Sequence, residues 1–203
     1  MAYSENKPAR SNWLLILIVL IIVALIAFYF LRGKSNPEVV AEAASDSSTV
    51  ESTINAQWSG VERMDLPTET YEELKDADIE VHGDQQYAIY SISEAVLFDS
   101  GQSQLKAGAD AKLESVAKSA KQRYPDTEIR ILGHTDASGD QASNKQLAEA
   151  RAEAVKSWLT SKGDVNASRI SINPIGEGQP VASNATEDGR EQNRRVEIAI
   201  KKK

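Results

Sequence analysis

The stretch "GHTDASGDQASNKQLAEARAEAVKSWL", residues 133–159, follows directly on the apolar run "EIRIL" at 128–132 and changes period part-way along. "EIRILGH" has the alternation of a strand, whereas residues 141–162 carry apolar side chains at helical spacing, with Gly163 as the stop. A strand therefore delivers its end, Gly133 to Gly139, to the start of a helix. Setting Leu147 at 0° and advancing about 100° per residue puts Trp158 at about 20°, Val155 at about 80°, Ala148 at about 100° and Leu159 at about 120°. The same count places Arg151 at about 40° and Asn144 at about 60°, inside the apolar stripe, where an arginine needs a compensating charge or must snorkel to the helix edge. Asp136 closes the strand leading into this helix, so a carboxylate and a guanidinium from neighbouring elements face one space.

Working outward, the pattern alternates. "YAIYSISEAVLF" (87–98) reads as a strand, and "KAGADAKLESVAKSAKQR" (106–123) as a helix with Leu113, Val116, Ala117 and Ala120 on one side. "RISINPIG" and "RRVEIAIKK" give two further strands. A β-α-β-α-β-β order predicts an α/β (α+β) two-layer sandwich, a mixed sheet with the helices on one face and right-handed crossovers for its first two connections. Upstream, Ile79 and Val81 and then Tyr87 and Ile89 suggest a short hairpin around "HGDQQ".

The N-terminal half is of another kind. "WLLILIVLIIVALIAFYFL", residues 13–31, carries no charge and at about 1.5 Å per residue spans roughly 28 Å, close to a hydrocarbon core of about 30 Å. Trp13 and Phe28, Tyr29 and Phe30 sit at its ends, and Lys7, Arg10, Arg32 and Lys34 flank it. A retained transmembrane helix in the lipid bilayer is expected rather than a cleaved signal peptide, whose apolar region runs only about 7–15 residues. With two basic residues on each side, flanking charge leaves the orientation open. The absence of Asp, Glu and His from this run disfavours a proton-driven motor subunit.

The net charge of −7 is unevenly spread. Residues 37–90 carry thirteen acidic groups against two basic ones, and residues 91–203 carry sixteen against seventeen, giving −11 and +1. The expected organisation is an N-terminal tail (1–12), the membrane helix (13–31), an extended acidic tether (32–60), an acidic segment leading into the domain (61–85) and the folded domain (86–203). The acidity argues against nucleic acid as a partner. With no cysteine, disulfides, thiolate metal sites and a cysteine nucleophile are excluded.

An aspartate and an arginine can simply neutralise one another. Held a few ångströms apart instead, they complement a zwitterion: the carboxylate accepts from an ammonium, and the guanidinium fork takes a carboxylate through two parallel hydrogen bonds. His134 and Asp136 lack a third ligand, so no metal site and no cofactor is expected. No serine constellation or acid–base carboxylate pair suggests an enzyme.

From about Val96 to Ile200 the sequence resembles the OmpA C-terminal-like peptidoglycan-binding domains, which also occur in peptidoglycan-associated lipoproteins and flagellar stator proteins. The resemblance lies in "VLFDSGQSQL", the "GHTD…SWL" block and "SRISINPIGEGQPVASNATEDGREQNRRVEI". It implies non-catalytic binding of peptidoglycan, with Asp136 and Arg151 taking the free amino-acid end of meso-diaminopimelate in the stem peptide. Thr135, Asn144 and Leu147 would line the pocket, the Ser100–Gly101 turn would add backbone contacts, and Arg195 of the tandem arginines is carried as a ligand contact while its neighbour ties down the "NATEDGREQ" loop. Ala148 departs from a serine common in the family, which bears on local capping or packing. The implied location is the bacterial inner membrane, single-pass, with the N-terminus cytoplasmic and the domain periplasmic. The alternative is an assembly component of an envelope complex, docking a protein partner through residues 61–85. Asp136→Asn and Arg151→Ala are each expected to leave the fold intact.

Overall fold

A computed structural model describes Trp58, residues 66–75 and residues 77–203. The expected transmembrane helix and tether lie outside the described residues, and no helix among the described residues is long and apolar enough to cross a membrane.

Six strands form one sheet: β1 (Thr68–Glu69), β2 (Ile79–Gly83), β3 (Tyr87–Ser93), β4 (Ile129–His134), β5 (Ile170–Gly176) and β6 (Arg195–Lys201). Their spatial order is β1-β2-β3-β6-β4-β5. β4 and β5 are parallel and all other pairs antiparallel, which makes the sheet mixed. Four helices intervene: α1 (Glu94–Leu97), α2 (Ala109–Arg123), α3 (Gln141–Ser161) and α4 (Glu187–Asn193). The expected β-α-β-α-β run is present, with α2 linking β3 to β4 and α3 linking β4 to β5, but the short α4 stands between β5 and β6, two strands expected to follow one another directly. The last strand inserts between β3 and β4, because both pair with β6 and not with each other.

Period-2 side chains from the strands and the apolar stripes of α2 and α3 share one core. Tyr90, Ile92, Ile129, Ile131, Val196, Ile198 and Ile200 meet Leu113, Val116, Ala117, Val155, Trp158 and Leu159. Both long helices thus cover one face of the sheet.

The expected hairpin is present, with Asp84 Oδ1 accepting from the amides of Gln86 and Tyr87 across the turn between β2 and β3. The fold also begins earlier than expected. β1 adds an edge strand, and Tyr71 and Leu74 enter the core, Leu74 as the last residue of a 3₁₀ turn at Glu72–Leu74. The acidic groups of this segment face partners inside the fold: Glu73 takes Arg123 Nε at 2.6 Å, Asp78 takes Lys112 Nζ at 2.8 Å and Glu69 takes Lys202 Nζ at 3.2 Å.

Two expectations are corrected. "YAIYSISEAVLF" is not one strand, since β3 stops at Ser93 and Glu94–Leu97 form a helical turn. A continued strand would send Leu97 and Phe98 to opposite faces, whereas the turn buries both in the core. "NATEDGREQ", read as a loop, holds all of α4 but its last residue, Asn193, and the helix is capped by Thr186, whose hydroxyl accepts from Gly189 N at 3.1 Å.

Candidate functional site

The site is assembled where β4 hands over to α3. A Cβ on Gly133 would lie 2.2 Å from the Ala148 carbonyl oxygen, so the absence of a side chain there lets α3 rest directly on β4. Ala148, fully buried, is the small residue on the other side of that contact, and a serine hydroxyl at this position would have to be fitted into the same close approach. Asp140 caps α3 by accepting from Ser143 N at 3.0 Å. This places Asn144, Leu147 and Arg151 on successive turns above the end of β4. Asn144 and Arg151 are buried, and Leu147 is half-buried.

Asp136 and Arg151 are not paired with each other. Asp136 Oδ2 accepts from Arg194 Nη1 at 2.6 Å, and its Oδ1 accepts from Ser138 N at 2.9 Å. Arg151, 2% exposed, donates from Nη2 to Glu94 Oε1 at 2.5 Å and from Nε to the Gln102 carbonyl at 2.9 Å, and packs 5.4 Å above the Phe98 ring. Arg194 joins the two halves, with Nε 3.5 Å from Glu94 Oε2 and Nη2 3.1 Å from Glu187 Oε1. The result is a chain of charges, Asp136–Arg194–Glu94–Arg151, with Glu187 on its outer side.

The electrostatics follow from burial and these contacts. Burial works to raise the Asp136 carboxyl, but the hydrogen bonds from Arg194 and Ser138 outweigh it and hold it below the usual range. Burial pulls the Arg151 guanidinium down, with Glu94 opposing. For Arg194 burial is overcome by Asp136 and Glu187, and its affinity for a proton rises. Among the described residues, Arg151 Nη1 bonds no protein group, and the buried Glu94 Oε2 and Thr135 Oγ1 accept or donate no hydrogen bond. The guanidinium edge made by Nε and Nη2 is therefore already spent, and the double grip on a carboxylate expected of that fork is not available along it.

The other expected residues distribute as follows. Thr135 sits beside Asp136, its amide donating to the Gly176 carbonyl at 2.9 Å. Asn144 Nδ2 donates to the Asp136 carbonyl at 3.3 Å and to Glu177 Oε2 at 2.6 Å, which ties the start of α3 to the site. Ser100 and Gly101 lie in an exposed turn whose positive φ at Gly101, 69°, suits glycine. The Gly101 amide reaches Glu94 Oε1 at 3.4 Å, and the same turn supplies the Gln102 carbonyl to Arg151.

Arg195 does not join this cluster. Its Nε donates to Glu197 at 2.7 Å and its other nitrogens to the carbonyls of Asn193 and Gln179. The arginine beside Asp136 is its neighbour Arg194, for a reason visible in the period of β6: Arg194 shares the side of Val196, Ile198 and Ile200, which faces the helices, and Arg195 is on the other. The loop before α4 is tied down chiefly by Asn193, whose side chain takes the amides of Val181 and Ala182 at 2.8 and 3.1 Å and donates to the Ala182 carbonyl at 2.9 Å. Glu94 was not anticipated. Its signal in the sequence was an acidic residue inside a run otherwise apolar enough to pass for a strand.

Residues 97–194 match the model of the OmpA family. They are an OmpA family domain. The matched stretch contains Asp136, Arg151 and Arg194, with Glu94 three residues before it. Probable lipoprotein YiaD of Escherichia coli is 40% identical over 112 residues, 55% of this chain and 50% of that protein. The chain thus spans half the length of this relative, and about a third or less of several outer-membrane proteins that it also matches. The cell wall anchor of the T6SS from Pseudomonas aeruginosa superposes with a TM-score of 0.58 at 24% identity, covering 65% of this chain and 93% of that one. The periplasmic domain of Helicobacter pylori MotB does so with a TM-score of 0.55 at 23% identity, covering 61% and 82%. At such identities these two superpositions speak for the fold.

Proposed function

We propose that this OmpA family domain is a non-catalytic peptidoglycan-binding module that takes the amino-acid end of a diaminopimelate stem residue between Asp136 and Arg151. The observation that carries the reading is that these two buried, opposite charges share one cluster without neutralising each other. The ammonium donates to Asp136, taking the place of Arg194, which keeps Glu187 and Glu94 as alternatives. The carboxyl end meets Arg151 Nη1. Charge-assisted bonds at both ends give orientation as well as affinity, since a ligand reversed in the cleft sets like charges together. Thr135 Oγ1, Asn144 and the half-buried Leu147 line the approach, and the Ser100–Gly101 turn closes the Arg151 end.

The family membership supports this reading, and the fold is one shared with the cell wall anchor of the T6SS from Pseudomonas aeruginosa. In the arrangement we propose, residues 13–31 hold the chain in the inner membrane, residues 32–60 are the tether, and the domain lies in the periplasm with the N-terminus cytoplasmic. Linkage by reach then raises the local concentration of stem peptide, so a weak single contact suffices. Docking of a protein partner through residues 61–85 is the less favoured reading, because Glu69, Glu73 and Asp78 are engaged within the fold.

A crystal of the protein with a diaminopimelate-containing tripeptide tests the assignment. The expected density has the ammonium on Asp136 and the carboxyl group on Arg151. A peptide seated elsewhere, with the Asp136–Arg194 pair undisturbed, would falsify it.

A further inference from the structure

We propose that the Arg151 end of the site is built for a primary carboxamide, so that it prefers a stem residue whose carboxyl is amidated over one whose carboxyl is free; this rests on the stem-peptide reading above.

Arg151 is not a bare cation. Glu94 Oε1 lies 2.5 Å from its Nη2, and the two side chains are 2% and 7% exposed. A ligand carboxylate placed on Nη1 arrives beside this buried carboxylate, and like charges a few ångströms apart at a site shielded from water repel strongly. The two unspent groups have opposite character: Nη1 is a donor and Glu94 Oε2 is a buried acceptor with no hydrogen bond, approached only by Arg194 Nε at 3.5 Å. A carboxamide answers both, its carbonyl oxygen accepting from Nη1 and its NH₂ donating to Oε2. A carboxylate carries acceptors alone and leaves Oε2 facing oxygen.

Arg194 compensates Glu94 only in part, because it is shared with Asp136 and with Glu187, which is itself also held by Arg190 at 2.5 Å. A free carboxyl on Nη1 therefore adds a second carboxylate beside Glu94, whereas an amide adds no charge there.

The test is calorimetric titration of the full-length protein in detergent micelles with two stem tripeptides that differ only in a free or an amidated diaminopimelate carboxyl. The amidated peptide is expected to bind about tenfold tighter. Glu94→Gln, nearly isosteric, leaves Arg151 uncompensated and is expected to erase or reverse that ratio by tightening the free-carboxyl peptide. Glu187→Gln, an exposed change that does not touch the core, is expected to move the ratio the same way by a smaller factor, and covers the case in which Glu94→Gln fails to fold. Tighter binding of the free-carboxyl peptide by the unaltered protein, or a ratio that neither substitution moves, overturns the carboxamide assignment while leaving stem binding intact. Binding of neither peptide overturns the stem-peptide reading itself.

Discussion

Asp136 and Arg194 lie 2.6 Å apart, so the carboxylate at the mouth of β4 is answered by an arginine 58 positions later, and not by Arg151 fifteen positions on. Arg151 in turn is held by Glu94, which precedes it by 57 positions. These two long-range pairs decide how each substitution at the site should behave.

Arg151→Ala is expected to destabilise the domain as well as empty the site, which corrects the expectation from the sequence that this change leaves the fold intact. It leaves Glu94 buried without its principal counterion, and breaking one side of a buried pair costs about 3–5 kcal/mol. Thermal or denaturant unfolding should show the loss; unchanged stability would mean that Glu94 finds another partner or reaches water. Arg151→Lys keeps the charge and is the better variant for binding assays.

The contact between β4 and α3 predicts that Gly133→Ala is harmful despite adding one methyl group. Its Cβ would meet the Ala148 carbonyl at 2.2 Å, and backbone cannot swing aside as a side chain does. The expected penalty is about 1–3 kcal/mol, read from the midpoint of chemical denaturation. Full retention of stability would show that α3 is not seated on β4 as described.

Much of this architecture is legible in the sequence, because α2, α3 and the strands β4 to β6 have clean periods and each buries a face of its own. Arg151 stood out for the same reason, an arginine within an apolar stripe. What escaped was set by pairing across distant chain segments. Glu94 sits in a run that passes for strand, and only the burial of both Leu97 and Phe98 explains why the chain turns helical there. Of the tandem arginines, the phase of β6 already placed Arg194 with Val196 and Ile198, yet nothing local told that this face would meet Asp136. Residues 66–83 fall in the 61–85 stretch that reads as an acidic approach to the domain, because their apolar residues, Tyr71, Leu74 and Val81, are sparse and their charges find partners elsewhere in the chain.

That segment yields a further expectation. Leu74 is buried in the core and its replacement by Ala should cost about 2–5 kcal/mol. Removing residues 66–83 takes away β1 and β2 and bares the edge of β3, so the shortened domain should aggregate or fail to unfold cooperatively. A soluble, cooperatively melting domain that begins at residue 86 would refute this.

Acid should weaken the fold through carboxyls whose proton affinity is depressed in the native state. For Glu197 burial acts upward, yet His134, whose Nε2 lies 3.4 Å from Oε2, and the Arg195 guanidinium prevail and hold it at about 2; Asp136 is also lowered. These groups bind protons more weakly folded than unfolded, so their contribution is complete above the unfolded carboxyl values, about 4, and is lost as pH falls toward the folded ones. Unfolding free energy should therefore decline between about pH 5 and pH 2, and Glu197→Gln should flatten that decline. An equal slope in the variant would remove Glu197 from the account.

The central claim, that Asp136 grasps a ligand ammonium, is met most directly by co-sedimentation of the full-length protein with purified diaminopimelate-type sacculi, comparing the unaltered chain with Asp136→Asn. The amide keeps size and shape but loses the charge, so a folded variant is expected to lose a contact of about 1.5–3 kcal/mol, roughly a 10- to 150-fold drop in retention. Retention equal to that of the unaltered chain, with the variant shown to be folded, would contradict the claim.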